Sequence, residues 1–214
     1  MKLTHKTESN ITITEIKEAI LSGRGAEIIT PGDELEIELT NGETAAVTFA
    51  GFVGQERGRF IFRDLLGDDH VMNNTPTNEG GYFKSEGRRH VLEDLLPLLP
   101  AELLEAIEPR NIKELIDREL VEYKDSLWLP SATDVFGGEY AGRYYKDEGH
   151  DEQLPIFATE RGRVKEKDGE TWYWWLRSPY SSYATSFVLV AAGGSVNAYY
   201  AANTSSGFAP GFDL

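Results

Sequence analysis

Between Arg177 and Asp213 the chain carries no charged side chain, although 27% of all its residues are Asp, Glu, Lys or Arg. An uncharged stretch of this length ordinarily spans a bilayer, fills a core or serves as a linker. Here Ser and Asn recur throughout, which bars a membrane span, and Tyr180, Tyr183, Tyr199 and Tyr200 make it too aromatic for a flexible linker. Apolar anchors stand at Phe187, Val188, Val190, Val196 and Phe208. Residues 180–206 draw almost entirely on Tyr, Ser, Ala, Thr, Asn, Gly and Val. That mixture resembles an antibody paratope: Tyr gives large amphipathic contact area at low entropic cost, and Ser, Asn and Gly give adaptable hydrogen bonding. Two readings follow, an outward-facing binding surface or a small-residue β-meander packed on the core. The alternation Val188-x-Val190 suits packing in either.

The rest of the composition narrows the function classes. The absence of cysteine excludes disulfides, thiolate metal sites and Cys nucleophiles. A net charge of −15, from 36 acidic and 21 basic residues, repels phosphate backbones and anionic lipid, so neither nucleic acid nor a membrane is an expected partner. No apolar run reaches membrane-spanning length, and no apolar segment follows Met1–Lys6, so neither membrane insertion nor a signal peptide is expected. The expectation is a soluble protein, cytoplasmic or virion-associated.

Along the chain, residues 9–22 predict a cap and short helix closing near Gly23 and Gly25. Leu35, Ile37 and Leu39 alternate with glutamates as in a half-buried strand, Asn41-Gly42 predicts a hairpin turn, and Ala45–Phe52 is the returning partner. Gly58–Leu66 continues the sheet, and 67–81 is a polar loop. Residues 85–108 carry helical spacing divided by Pro97 and Pro100. The periodicity of 111–123 allows a helix or a long strand. Residues 137–153 predict a loop, and 154–164 and 171–177 predict strands around a turn at Lys167-Asp168-Gly169.

The segment Trp174-Trp175-Leu176-Arg177-Ser178-Pro179, then VAAGGSVNA, then SGFAPGF, resembles the C-terminal part of a bacterial and phage family with a C-type-lectin-like fold, the variable proteins of diversity-generating retroelements. Leu127–Ser131, Asp134–Gly137 and the helical stretch 85–108 fit the same pattern. The resemblance covers residues 26–214 and leaves 1–25 as an N-terminal extension. It implies an α+β, C-type-lectin-like domain with antiparallel sheets and about two helices. In that family, adenines in a template copy of the C-terminal codons are corrupted during reverse transcription. Asn codons of the type AAC then never yield Trp, Lys, Glu, Gln or Met, and residues 180–206 contain none of these. The resemblance implies variable, ligand-contacting positions at Tyr180, Ser182, Tyr183, Thr185, Ser186, Leu189, Ala191, Asn197, Tyr199, Tyr200, Asn203 and Ser205. It implies a fixed frame of Trp174, Trp175, Leu176, Arg177, Pro179, Phe187, Val190, Gly194, Val196, Gly207, Pro210 and Phe212. Of the adjacent tryptophans, one is expected in the core and one over an edge. Arg177 is expected to pin the loop through carbonyls or a carboxylate, and Gly193-Gly194 to turn a hairpin.

Catalytic patterns are sparse. Formylglycine-generating enzymes share the implied fold but need cysteine. His5, His70, His90 and His150 stand far apart, outside any ligand motif. Asp64, Asp68, Asp69 and Asn73 lack the spacing of a calcium loop, and Asp134, Asp147, Glu148, Asp151 and Glu152 read as charged loop residues. The expectation is therefore a ligand-recognition protein without cofactor or metal, not an enzyme, binding a protein or a glycan. The alternatives are a carbohydrate-active enzyme on the same scaffold and a structural virion component.

Overall fold

The computed structural model describes residues 11–54, 56–116, 119–145 and 151–214. Helix α1, Ile13–Leu21, opens on a capping box. The Thr12 hydroxyl accepts from the Glu15 amide at 3.2 Å while the Glu15 carboxylate accepts from the Thr12 amide at 2.8 Å. Ile13, Ile16, Ala19 and Ile20 form its buried stripe. Lys17 Nζ donates to the Ala106 carbonyl at 2.7 Å and pairs with Glu108 at 2.6 Å. The described part of the N-terminal extension, from residue 11, is thus stitched into the core through α1, and the short α2, Gly25–Ile28, follows.

Strands β1 (Glu34–Glu38), β2 (Thr44–Val53) and β3 (Arg57–Phe62) form an antiparallel meander, with the first turn at Asn41-Gly42 as its sequence predicts. The 85–108 stretch is helical but broken. Helix α3, Glu86–His90, runs into a π turn at Val91–Leu95 and a 3-10 turn at Leu96–Leu98, and α4, Ala101–Ala106, follows Pro100. The ambiguous 111–123 segment is neither a helix nor one long strand but the hairpin β4 (Arg110–Ile116) and β5 (Glu119–Asp125). Helix α5, Ala132–Phe136, begins at a second capping box on Ser131.

Residues 154–164 are not strands. Pro155 starts a 3-10 turn, and the Thr159 side chain caps α6, Glu160–Arg163. The turn at Lys167-Asp168-Gly169 does join two strands, β6 (Lys165–Lys167) and β7 (Glu170–Trp172). Strands β8 (Trp174–Pro179), β9 (Phe187–Val190) and β10 (Val196–Asn197) make a three-stranded antiparallel sheet in the order β10-β9-β8. The last strand, β11 (Gly211–Asp213), returns to pair with β3, completing the order β1-β2-β3-β11. Gly211 also exchanges backbone hydrogen bonds with Trp128 at 2.7 and 2.9 Å, so the C-terminal GFAPGF run is held from both sides.

The fold is α+β: the sheets are antiparallel and the helices lie in separate segments. Six α-helices occur among the described residues, where about two were expected, because prolines and capping residues cut the helical runs short. Among those residues no helix is long and apolar enough to cross a membrane.

Candidate ligand-binding face

Both faces of the β8–β9 layer are covered. Trp174 and Trp175 point to opposite sides of β8 and both are fully buried, which corrects the expectation that one would cover an edge. The Trp174 indole donates to the Arg163 carbonyl at 2.9 Å and packs on Phe157. All four residues of β9 are buried, so this strand reads as a continuous apolar run and not as an alternation.

Where β8 leaves this layer, a buried ion network fixes its exit. Asp134, fully buried in α5, accepts from both Nη atoms of Arg110 at 3.0 Å and from the Ser131 amide at 2.8 Å. Asp151 bridges Arg110, at 2.6 Å, to Arg177. The Arg110 guanidinium also lies 4.2 Å over the Trp128 ring. Burial pulls the pKa of Arg110 and Arg177 down, but the neighbouring aspartates outweigh it and hold both above the ordinary arginine range. Arg177 therefore pins the loop through a carboxylate, as expected. Asp134 and Asp151 are buried ion-pair partners, not the solvated loop residues their sequence suggests.

Beyond Arg177 the chain forms an open loop, closed where the Tyr180 amide donates to the Ser186 carbonyl at 3.0 Å. Asn78 spans its mouth: the side-chain amide donates to the carbonyls of Ser186 at 2.7 Å and of Tyr180 and Tyr183 at 3.2 Å each. Its backbone amide donates to the Ala184 carbonyl at 2.7 Å. No sequence signal marks Asn78 among the other polar residues of its loop. Further on, Ala202 donates to the Thr185 carbonyl at 2.8 Å, bringing the 199–205 segment beside the 180–186 loop. The hairpin between β9 and β10 turns at Gly194 as expected, with φ +88° and a backbone so close to the Glu160 carbonyl oxygen that a Cβ would sit 2.1 Å from it.

Of the predicted contact residues, Ser182, Tyr183, Thr185, Tyr199, Tyr200, Asn203 and Ser205 are exposed. Tyr183 and Tyr199 present 65% and 86% of their surface, large apolar areas that contribute little to the core. Tyr180, Ala191 and Asn197 are half-buried. Two assignments are corrected. Leu189 is fully buried, because it lies in the central strand β9 opposite Trp175 on one side and Asn197 on the other. Ser186 is buried where the loop closes. Beside the tyrosines opens a cleft of about 620 Å³, walled by Asn78–Gly81, Leu115–Ile116 and Ser178–Ser182, with Glu114 and Arg177 at its base. The Glu114 carboxylate is occupied by the Tyr82 and Phe83 amides at 2.6 and 3.0 Å and by the Tyr123 hydroxyl at 3.2 Å.

Glu79 also lines the cleft, but the histidines and the acidic residues of the 64–69 segment do not gather there. His70 and His90 stack with ring centroids 4.2 Å apart beside Phe208, and His90 pairs with Asp94 at 2.8 Å. Burial lowers the His90 pKa, partly offset by Asp94. Asp64 meets Arg63, and Asp69 meets Lys167 and the Trp172 indole. Among the described residues no three His, Asp or Glu side chains are placed to hold a metal ion. His5, Asp147, Glu148 and His150 lie outside the described residues.

The face is therefore built from exposed Tyr, Ser, Thr and Asn on a frame of buried Trp, Phe, Val and Arg. No curated protein and no solved structure matches this chain. Residues 58–214, well over half of the chain and including the whole of this face, match the family described as Domain of unknown function (DUF6273), and the chain belongs to that family.

Proposed function

We propose that this protein is a ligand-recognition protein that binds a protein or glycan target through residues 180–206, on a C-type-lectin-like scaffold of the kind used by diversity-generating retroelements. The observation that carries this reading is the separation of roles along one uncharged stretch. Tyr183, Tyr199 and Tyr200 stand out in solvent, while Phe187, Leu189, Val190 and Phe208 between and beyond them are buried. A monomer gains little stability from aromatic rings so exposed, whereas tyrosine is among the residues that dominate binding hot spots. The contact positions are then Tyr180, Ser182, Tyr183, Thr185, Ala191, Asn197, Tyr199, Tyr200, Asn203 and Ser205, without Ser186 and Leu189. Recognition, not catalysis, is the task of such a surface.

The reading is tested by sequencing the locus and its natural copies. The expected result is a reverse-transcriptase gene close by and a second copy of the 3′ coding segment differing from this one at adenines, with amino-acid changes confined to the ten contact positions above. Copies that vary at Trp174, Trp175 or Leu189 as freely as at Tyr199 would overturn it.

A further inference from the structure

The tyrosine surface does not stop at residue 180. An unbroken series of rings leads from the core outward: Phe136 to Tyr140 with centroids 5.5 Å apart, Tyr140 to Tyr144 at 5.8 Å, Tyr144 to Tyr180 at 5.8 Å with planes 22° apart, and Tyr180 to Tyr183 at 5.5 Å. Phe136 is buried, Tyr140, Tyr144 and Tyr180 are half-buried, and Tyr183 is exposed. The backbones are joined as well. The Ser181 amide donates to the Tyr144 carbonyl at 2.9 Å, and the hydroxyls of Ser181 and Ser182 donate to the Arg143 carbonyl at 3.3 and 3.4 Å. Arg143 itself is exposed, with its guanidinium 5.1 Å over the Tyr144 ring. Among the described residues no carboxylate pairs with it, in a chain that has 36 acidic residues to 21 basic ones.

We propose that the binding face extends onto the 140–145 loop, where Arg143 and Tyr144, together with Tyr180 and Tyr183, form a subsite for a carboxylate borne by an Asp or Glu side chain of a protein partner. This rests on the recognition reading of residues 180–206. The chemistry is local. A guanidinium held over an aromatic ring by the cation–π attraction still has N–H donors free to meet both oxygens of a carboxylate. The ring holds the cation in place and the hydroxyls of Ser181 and Ser182 hold the backbone beneath it, so little ordering remains to be done on binding. The adjoining 178–212 stretch has no charge of its own, so Arg143 sets a positive charge at the edge of a neutral segment, with Glu139 held on the Tyr140 hydroxyl further along the ring series. Arginine and tyrosine are the residues enriched at binding hot spots.

The test is to pan a displayed random-peptide library against the full chain and to measure the enriched peptides on variants. The expected peptides share an Asp or Glu. They lose binding about tenfold or more on Arg143→Gln, consistent with the loss of a charge-assisted hydrogen bond, and recover only in part on Arg143→Lys, which lacks the planar fork. Because Arg143 is exposed, its variants should melt with the parent protein. Enriched peptides without an acidic residue, or equal binding by Arg143→Gln, would overturn the subsite, as would an absence of enriched peptides. Capture of uronate-bearing oligosaccharides in place of peptides would equally overturn the assignment to a protein side chain. Peptides that depend on Tyr199 and Tyr200 but not on Arg143 would leave the recognition reading standing without this extension, whereas peptides indifferent to all three would remove both.

Discussion

Replacing Arg110 with methionine is expected to destabilise the protein by roughly 3–5 kcal/mol, the usual cost of removing one partner from a buried ion pair. The guanidinium is 2% exposed and holds Asp134 and Asp151, which are themselves 0% and 8% exposed. Without it Asp134 loses both of its guanidinium hydrogen bonds, and Asp151 loses one ion pair while keeping that with Arg177. The loss measures the orphaned charge and not the net worth of the pair. For a chain of this size it corresponds to a fall in melting temperature on the order of 10 °C. The pH dependence has a definite sign. An orphaned buried carboxylate has its folded-state pKa raised above the unfolded value, so the deficit is fully present at neutral pH and shrinks as pH falls through the raised pKa. Thermal melts of the parent and Arg110→Met proteins from pH 7.5 to 4.5 should therefore converge on the acid side. A constant gap would mean that lost packing on Trp128, and not lost charge, sets the cost.

The second large effect is on binding and not on folding. The Tyr199→Ala, Tyr200→Ala double variant should melt within about 4 °C of the parent protein. Tyr199 has no ring partner among the described residues, and Tyr200 has one edge contact, with Tyr173 at 5.4 Å, worth roughly 1 kcal/mol. The Asn197 side chain that accepts from the Tyr199 amide at 2.8 Å is untouched by the exchange, so the local turn stays. Against a target selected on the intact face, truncation of a central ring should cost about 2 kcal/mol, roughly 30-fold in Kd. Leu189→Ala should behave in the opposite way, losing about 2–5 kcal/mol of stability as a core truncation. Calorimetry and titration on the two variants separate the roles that one uncharged stretch combines.

How far the sequence reveals this depends on whether a signal is local. The β1–β2 hairpin is legible because alternating Leu and Glu flank Asn-Gly. The hairpin of β4 and β5 is not, because residues 111–123 contain no Gly or Pro and their apolar positions suit either period. Residues 154–164 look like strands from Leu154, Ile156 and Phe157, but the backbone obeys Pro155 and the Thr159 cap. Asp134 and Asp151 look solvated because their partner Arg110 lies 24 and 41 residues away. The stacking of His70 on His90 and the clamp formed by Asn78 are hidden for the same reason. Within the candidate site, composition locates the stretch and the resemblance orders its positions. Neither separates Leu189, in a strand covered on both faces, from Tyr199, in an exposed loop. That distinction belongs to tertiary packing.

The most direct measurement is a saturation scan of residues 178–206 scored for folded, protease-resistant protein. Ser182, Tyr183, Thr185, Tyr199, Tyr200, Asn203 and Ser205 should accept most side chains, while Phe187, Leu189, Val190 and Gly194 should accept almost none. If the exposed tyrosines prove as intolerant as Leu189, the stretch is core and the binding face described above does not exist.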